Sequence, residues 1–107
     1  MESAVAREID EEVSVAVTDI RYVASQPWPF PASIMLGFVC RVDGDPTIRV
    51  DGAEVVEAGW FTRAEIARAA AWVDSGVEPD PSATVRAVSP KLSISRYLID
   101  RWLADEL

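Results

Sequence analysis

Residues 25–42 read SQPWPFPASIMLGFVCRV, a stretch whose two halves differ in composition. In its first half, residues 26–31 alternate prolines with other residues. Proline fixes φ and donates no backbone hydrogen bond, so this half excludes a regular helix or a central strand. The second half, Ser33–Val42, is a near-continuous apolar run, which predicts a strand covered on both faces. The sequence DGDP at residues 43–46 predicts the turn that ends this strand.

On the N-terminal side, residues 2–13 predict a helix, since Val5, Ile9 and Val13 recur every four positions. Residues 15–25 then alternate in hydrophobicity, which predicts a strand with a turn-like Thr18-Asp19 inside it.

On the C-terminal side, shorter strands are predicted at residues 47–50 and 55–61. A helix should follow from Thr62, with Glu65 completing a capping box. Residues 74–90 predict a long exposed loop, and residues 92–107 an amphipathic closing helix. Interleaved helices and strands indicate an α+β or α/β fold.

The amino-acid composition excludes several classes of catalytic and metal-binding site. The 107 residues are half hydrophobic, which fits one globular domain with a single core. Histidine is absent, which excludes Ser-His-Asp, Cys-His and histidine-metal sites. Cys40 is the single cysteine, so we expect no disulfide and no zinc; its apolar neighbours predict a buried, inert thiol.

The net charge and the hydropathy of the chain limit the binding partners that we expect. The formal net charge of −8 argues against a nucleic-acid backbone as a direct partner, and we expect no DNA partner, although divalent cations can bridge an acidic protein to phosphates. No apolar run is long enough to span a membrane and no signal segment is recognisable, so we expect no membrane partner and a cytoplasmic location.

An acidic cluster lies on the first predicted helix. Helical spacing puts Glu8 and Glu12 one turn apart, with Glu11 on the adjoining edge, at the margin of the apolar stripe. Like charges at this spacing repel, and Mg²⁺ or Mn²⁺ could compensate, since both prefer carboxylate oxygens and can also hold a phosphate. Spacing alone favours the alternative, a solvated acidic face, because such surfaces are common.

The same helix resembles the second half of the Nudix box, G-x5-E-x7-R-E-U-x-E-E-x-G-U with U aliphatic. The matching residues are Arg7, Glu8, Ile9, Glu11, Glu12 and Val15. Ser14 stands where the pattern has glycine. Residues 25–33 are similar to the SQPWPFPxS signature of the NADH pyrophosphatase branch of the Nudix family. The resemblance continues through residues 50–54, 58–61 and 93–99, and so covers nearly the whole chain.

This resemblance implies a Nudix-type mixed β-sheet between helices, an α/β/α sandwich, with residues 1–107 forming one partial domain. It also implies hydrolysis of the pyrophosphate bond of NADH or NAD to a nicotinamide mononucleotide and AMP, with Mg²⁺ or Mn²⁺ as cofactor. Some similar enzymes remove NAD caps from RNA. By matching positions, the metal ligands would be Glu8, Glu12 and Glu54, and the catalytic carboxylates Glu11 and Glu12. Glu57 is an alternative to Glu54.

The resemblance also implies that the proline-rich segment forms part of a nucleotide pocket. The residues expected to bind substrate are Gln26, Pro27, Trp28, Pro29, Phe30, Pro31, Ser33 and Ser95. From the residues alone, the prolines stiffen the loop, the aromatic rings offer flat faces, and the amide of Gln26 offers hydrogen bonds. A rigid, packed loop is the alternative. Arg7 is expected to anchor the acidic helix by a salt bridge.

The first glycine and first glutamate of the box pattern would precede Met1. We therefore expect the front of the box, and the strands upstream of it in the family, to lie outside this chain. The sheet edge and apolar surface thereby exposed would favour a homodimer. Two alternatives to an active enzyme stay open: an inactive remnant that binds a dinucleotide, and a remnant that serves only as a dimerisation module.

Overall fold

A computed structural model of the protein describes residues 1–29, 32–50, 52 and 58–107. Its elements are α1 (Glu2–Val13), β1 (Val17–Trp28), β2 (Ser33–Val42), α2 (Arg63–Ser75) and α3 (Ile94–Leu103). The two strands pair in one antiparallel sheet, as their short connection requires. The described part of the chain thus has the predicted mixed α+β fold. None of its helices has the length and apolar character of a membrane span.

Backbone contacts divide the chain into two compact units, and the first comprises Met1–Val23 and Phe38–Trp60. In this unit α1 ends at Ser14, whose φ of 59° is left-handed and whose N–H donates to the Asp10 carbonyl. Glycine adopts this conformation without strain, which gives a physical reason for glycine in the box pattern at this position. The chain then turns inward, and Val15 is only 1% exposed.

An apolar cavity of 250 Å³ lies in the first unit, next to Val15. Its walls come from α1, from both strands and from the coil that follows β2, including Ile9, Val17, Cys40 and Trp60. Two backbone bonds hold this coil in place: the N–H of Asp43 donates to Ala16 O, and that of Arg49 to Val13 O, both at 2.9 Å. The described residues leave the space between these walls unfilled.

Two predictions for β2 need correction. The strand has the predicted bounds, but it is not covered on both faces by the described residues, since Ile34, Met35 and Leu36 are 66%, 50% and 40% exposed. Cys40 is likewise exposed rather than buried, because it lies on the wall of the unfilled cavity. Partial desolvation still raises the pKa of its thiol above the ordinary 9.0, which disfavours the reactive thiolate.

The strand predicted at residues 47–50 was also wrong, since these residues are coil. Asp45 explains why: its carboxylate accepts hydrogen bonds from the backbone and the hydroxyl of Thr47, at 2.9 and 2.7 Å. This local turn competes with strand pairing. Residues 58–61 are coil as well, and residues 55–57 of the strand predicted at 55–61 lie outside the described residues.

β1 extends further than predicted, continuing through Pro27 to Trp28. In a two-stranded sheet each strand has one edge without a partner strand. A proline that faces this edge, such as Pro27, interrupts no hydrogen bond between the strands. The predicted turn-like Thr18-Asp19 appears as a local distortion within the strand, with Asp19 at a φ of 50°. Further along, Tyr22 meets Phe38 edge to face, with ring centroids 5.8 Å apart.

The second unit comprises Ala24–Gly37 and Phe61–Leu107, and α2 and α3 pack together in it. Ala69 and Ala70 of α2 are 0% and 6% exposed. Gly37 of β2 is buried, and a Cβ built on it would lie 3.0 Å from Leu98 Cδ1 and 3.2 Å from Ile94 Cδ1. The strand backbone therefore comes close to α3 because this position carries no side chain.

The capping box predicted for α2 is present. Thr62 Oγ1 accepts the backbone N–H of Glu65, and the Glu65 carboxylate accepts the backbone N–H of Thr62 at 3.0 Å. The helix ends at Gly76, whose left-handed φ of 66° closes the last turn. The loop predicted at residues 74–90 is present but begins later, since Asp74 and Ser75 belong to α2 and residues 77–93 form neither helix nor strand.

Removing this cap should destabilise the second unit. In Thr62→Ala the backbone N–H of Glu65 loses its partner, the Thr62 hydroxyl, and the cost expected for such a substitution is about 1 kcal/mol. A shift of that size should lower the melting temperature of a domain this small by about 4–8 °C. Thermal unfolding followed by circular dichroism measures the shift, and Thr62→Ser, which keeps the hydroxyl, is the matched control. Equal melting temperatures for Thr62→Ala and the unsubstituted chain would contradict the role of the cap.

Candidate functional site

The acidic cluster lies on the last turns of α1, in the first unit. Glu8 and Glu11 are exposed and Glu12 is partly buried, which agrees with the predicted place at the margin of the apolar face. Arg7 lies between the exposed pair, with nitrogens 3.7 Å from Glu8 Oε1 and 3.9 Å from Glu11 Oε1. The predicted salt bridge of Arg7 is therefore present, although exposed pairs of this kind add little stability.

The donor chemistry of this cluster suits a hard divalent cation. Glu8, Glu11 and Glu12 supply only carboxylate oxygens, the ligands that Mg²⁺ and Mn²⁺ prefer. Within the described ranges, no three acidic or cysteine side chains converge closely enough to hold an ion. Glu54 and its alternative Glu57 lie outside the described residues. The α1 carboxylates thus fit part of a metal site, and their roles as ligands and catalysts stay predictions.

The residues predicted to bind substrate lie mainly in the second unit. Among them, the side chain of Gln26 is fixed by two hydrogen bonds. Its Oε1 accepts the backbone N–H of Ile94 at 3.0 Å, and its Nε2 donates to the carbonyl of Leu92 at 2.8 Å. The amide therefore ties β1 to the N-terminal end of α3. One N–H of the Gln26 side chain is not used by these two bonds and could reach a ligand.

A cavity of 380 Å³ lies beside the Gln26 amide. Its described walls are the end of β1, including Pro27, and the residues that open α3, including Lys91, Leu92 and Tyr97. The walls combine apolar surface with the charge of Lys91 and the half-exposed ring of Tyr97. Such a lining suits a flat ring that carries polar substituents.

An open hollow lies beside the end of β1 and the start of β2. Its lining is mostly apolar and includes Pro27, Trp28, Pro29, Ser33 and Ile34. The Trp28 side chain is 46% exposed, so a face of its ring is available for stacking. Phe30 and Pro31, also predicted to bind substrate, lie outside the described residues.

Ser95 lies in the first turn of α3, close to the loop-to-helix junction where it was expected. Its Oγ accepts the hydroxyl of Ser89 at 2.7 Å, which links the turn to the preceding loop. Ser93 caps the helix by accepting the N–H of Arg96 at 3.2 Å. The structure thus brings Gln26 and the turn containing Ser95 together, through the bond from Ile94 to Gln26.

Comparison with known proteins identifies the family. The model of the NUDIX domain matches residues 1–80. The chain belongs to the Nudix family.

Three similar proteins share the name NAD-capped RNA hydrolase NudC. A protein named NAD-capped RNA hydrolase NudC from Mycobacterium bovis is 42% identical over 105 residues, which cover 98% of this chain and 33% of the relative. Its namesake from Mycobacterium tuberculosis is 41% identical over the same extent. A third, from Erwinia tasmaniensis, is 49% identical over 61 residues, or 57% of this chain and 23% of the relative. The chain spans about a third of the length of the curated relatives it matches.

One feature of this Nudix chain was not predicted: a buried charge cluster around Arg96 of α3. The Arg96 side chain is 2% exposed and donates to both carboxylate oxygens of Asp74, at 2.9 and 2.5 Å, and to Asp100 at 2.7 Å. The sequence offered a weak sign of it, an arginine and an aspartate one turn apart on the predicted helix. Asp74, however, lies 22 residues away in the chain, at the end of α2.

Because of this cluster, we expect the free energy of unfolding of this Nudix chain to depend on pH in the acidic range. Hydrogen bonds from Arg96 hold the pKa of Asp74 below its ordinary 3.8. Because the folded pKa is the lower one, the stabilisation is complete above pH 3.8 and is lost as the pH falls through the folded pKa. In Asp74→Asn we expect lower stability at neutral pH and a shallower decline in acid. Urea unfolding between about pH 6 and pH 2.5 measures both, and parallel curves for the two proteins would contradict the assignment.

Proposed function

We propose that this chain carries the acidic-helix part of a divalent-metal-dependent hydrolase. Its substrate is the pyrophosphate bond of NADH or NAD, and its products are a nicotinamide mononucleotide and AMP. NAD caps on RNA are a further proposed substrate, because they present the same bond. The single observation that supports this most is α1, which presents Glu8, Glu11 and Glu12 in the register of the half box at the margin of an apolar face.

The proposed reaction adds one water molecule across the P–O–P bridge. The water oxygen bonds to one phosphorus, the bridging P–O bond breaks, and Glu11 accepts a proton from the water. Glu8 and Glu12, together with Glu54, would hold Mg²⁺ or Mn²⁺. When bound, such a cation neutralises the diphosphate and acidifies the attacking water, which suits a protein without histidine.

Binding of the dinucleotide is proposed for the second unit. The residues proposed to contact it are Gln26, Pro27, Trp28, Pro29, Phe30, Pro31, Ser33 and Ser95. Two features support the proposal: the exposed ring of Trp28 beside the open hollow, and the cavity next to the Gln26 amide. The two bonds that fix Gln26 lower its conformational freedom before a ligand arrives, which reduces the entropy cost of binding.

A homodimer is proposed as the assembled form. The observation that favours it is the consecutive exposure of Ile34, Met35 and Leu36 on β2. Large apolar side chains on a short, two-stranded sheet tend to be covered by another protein surface. If the chain were only a dimerisation module, self-association would survive loss of Glu8 and Glu12, and no nucleotide would bind.

The test is product analysis by chromatography after incubating the 107-residue chain with NADH, with Mg²⁺, with Mn²⁺ and with a chelator. The expected result is equal amounts of AMP and reduced nicotinamide mononucleotide, with either metal and not with the chelator. A folded chain that binds NADH without releasing AMP would support the inactive binding remnant. A folded chain that neither binds nor cleaves NADH would contradict the proposed function.

A further inference from the structure

Burying an arginine side chain is unfavourable in free energy, because its charged guanidinium loses its contact with water. Taking a guanidinium out of water is repaid only when several well-placed acceptors replace the water, and apolar replacements of buried ion pairs are often neutral or stabilising. Arg96 is the buried charged side chain in the described part of the chain, at 2% exposure. We therefore expect the hydrogen bonds of Arg96 to fix the position of neighbouring segments, which an apolar residue would not do.

The guanidinium of Arg96 joins three segments of the chain. It makes a bidentate pair of hydrogen bonds to Asp74 at the end of α2, and it also donates to Asp100 on α3 itself. Its Nη1 also lies 3.5 Å from the carbonyl oxygen of Ser89, in the loop that leads into α3. The paired geometry with Asp74 fixes direction as well as distance, which a lysine could not reproduce.

The segment that Arg96 restrains is the wall of the cavity beside Gln26. Ser89 donates to Ser95 at 2.7 Å, and the intervening residues 91–94 line the cavity together with Gln26. The amide of Gln26 is held by Leu92 and Ile94 of this same segment. A shift of the loop away from α2 would therefore move both the cavity wall and the partners of Gln26.

The other end of α3 offers a comparison. There Arg63 donates to the carbonyl of Trp102 and stacks on its ring at 4.5 Å, and it lies 3.5 Å from Asp105. The Arg63 side chain is 48% exposed, against 2% for Arg96. Both arginines attach α3 to α2, but only Arg96 acts at the end of α3 that borders the cavity.

We propose that Arg96 is a positioning residue for substrate: through Asp74 and Ser89 it fixes the segment from Ser89 to Ser95, which holds Gln26 and forms one wall of the dinucleotide pocket. This proposal rests on the proposed function, because it places the dinucleotide at that wall. It assigns Arg96 no contact with substrate and no part in the chemical step. Its loss should therefore weaken binding while leaving the α1 carboxylates as they are.

The experiment compares Arg96→Met, Arg96→Lys and Asp74→Asn with Arg63→Met, all in the full chain and at a temperature where circular dichroism shows each to be folded. Two quantities are measured: the Kd for NADH without metal, by fluorescence titration, and kcat and KM for AMP release with Mn²⁺. We expect Kd and KM to rise at least about tenfold in Arg96→Met and Asp74→Asn, with kcat within about twofold of the unsubstituted chain.

The two remaining variants separate positioning from general stability. Arg96→Lys keeps the charge but not the two-pronged geometry, so we expect an intermediate Kd. Arg63→Met should lower the melting temperature while leaving Kd and KM unchanged. If Arg96→Met does not fold, Asp74→Asn and Arg96→Lys provide the same comparison.

Several results would overturn the proposal. An unchanged Kd and KM in folded Arg96→Met and Asp74→Asn would do so, and an equal rise in Arg63→Met would show a mere effect of stability. In both cases the unsubstituted chain still cleaves NADH, so the proposed function survives. If the unsubstituted chain neither binds nor cleaves NADH, the proposed function fails and this proposal with it.

Discussion

Glu12→Gln is expected to reduce metal-dependent release of AMP from NADH at least about a hundredfold. The substitution keeps the shape of the side chain and its place in α1, so the helix should persist. It replaces a charged carboxylate by a neutral amide, a poorer ligand for Mg²⁺ or Mn²⁺. Glu12 is also the partly buried member of the cluster, where loss of a charge alters the local field more than it does in open solvent.

The matched control for Glu12→Gln is Asp10→Asn. It removes the same charge from the same helix, but Asp10 lies two positions from Glu12 and so projects from a different face. We expect its rate to stay within about threefold of the unsubstituted chain, as is usual for an exposed residue outside a site. Equal loss of activity in both variants would point to net charge or helix stability as the cause. An unchanged rate in folded Glu12→Gln would refute its role as a ligand.

Gly37→Val is expected to destabilise the second unit by about 1–3 kcal/mol. Even the first added carbon would lie 3.0 Å from Leu98 Cδ1 and 3.3 Å from the backbone oxygen of Ala24. Leu98 is the end of a flexible side chain and can move, but the carbonyl of Ala24 belongs to the paired strand. The two methyl groups of valine add further volume to this contact, so Gly37→Ala should cost less than Gly37→Val.

Urea unfolding followed by circular dichroism measures this series. The matched control is Arg41→Val, which places the same side chain on the same strand at a position whose side chain is 74% exposed and whose ion pair with Asp19 adds little stability. Its free energy of unfolding should lie within about 0.5 kcal/mol of the unsubstituted chain. A free energy of unfolding for Gly37→Val equal to that of Arg41→Val would contradict the close approach of β2 to α3.

Elements set by local interactions could be predicted from the sequence. The bounds of α1 follow from its apolar period, and the start of α2 from the Thr62 and Glu65 pair, because both depend on residues within one or two turns. The strand predicted at residues 47–50 failed because a strand also needs a partner, and a local turn at Asp45 competes for the same backbone.

Features set by distant residues could not be predicted in the same way. The apolar run of β2 gave its bounds, but its coverage depends on surfaces that the run does not contain, so Cys40 was wrongly expected to be buried. The bonds of the Gln26 amide to Leu92 and Ile94, 66 and 68 residues away, were not predicted, and the role of this amide toward a ligand stays a prediction. Arg96 was missed because its main partner, Asp74, belongs to another helix.

We predict that the carboxylates of α1 hold a divalent cation, and a titration with Mn²⁺ measures this binding. The free Mn²⁺ signal in electron paramagnetic resonance would be measured during titration with the unsubstituted chain, with a Glu8→Gln and Glu12→Gln double variant, and with Asp10→Asn. We predict that the unsubstituted chain and Asp10→Asn deplete free Mn²⁺ alike, and that the double variant loses this binding. Equal depletion by all three folded proteins would contradict a cation site on α1.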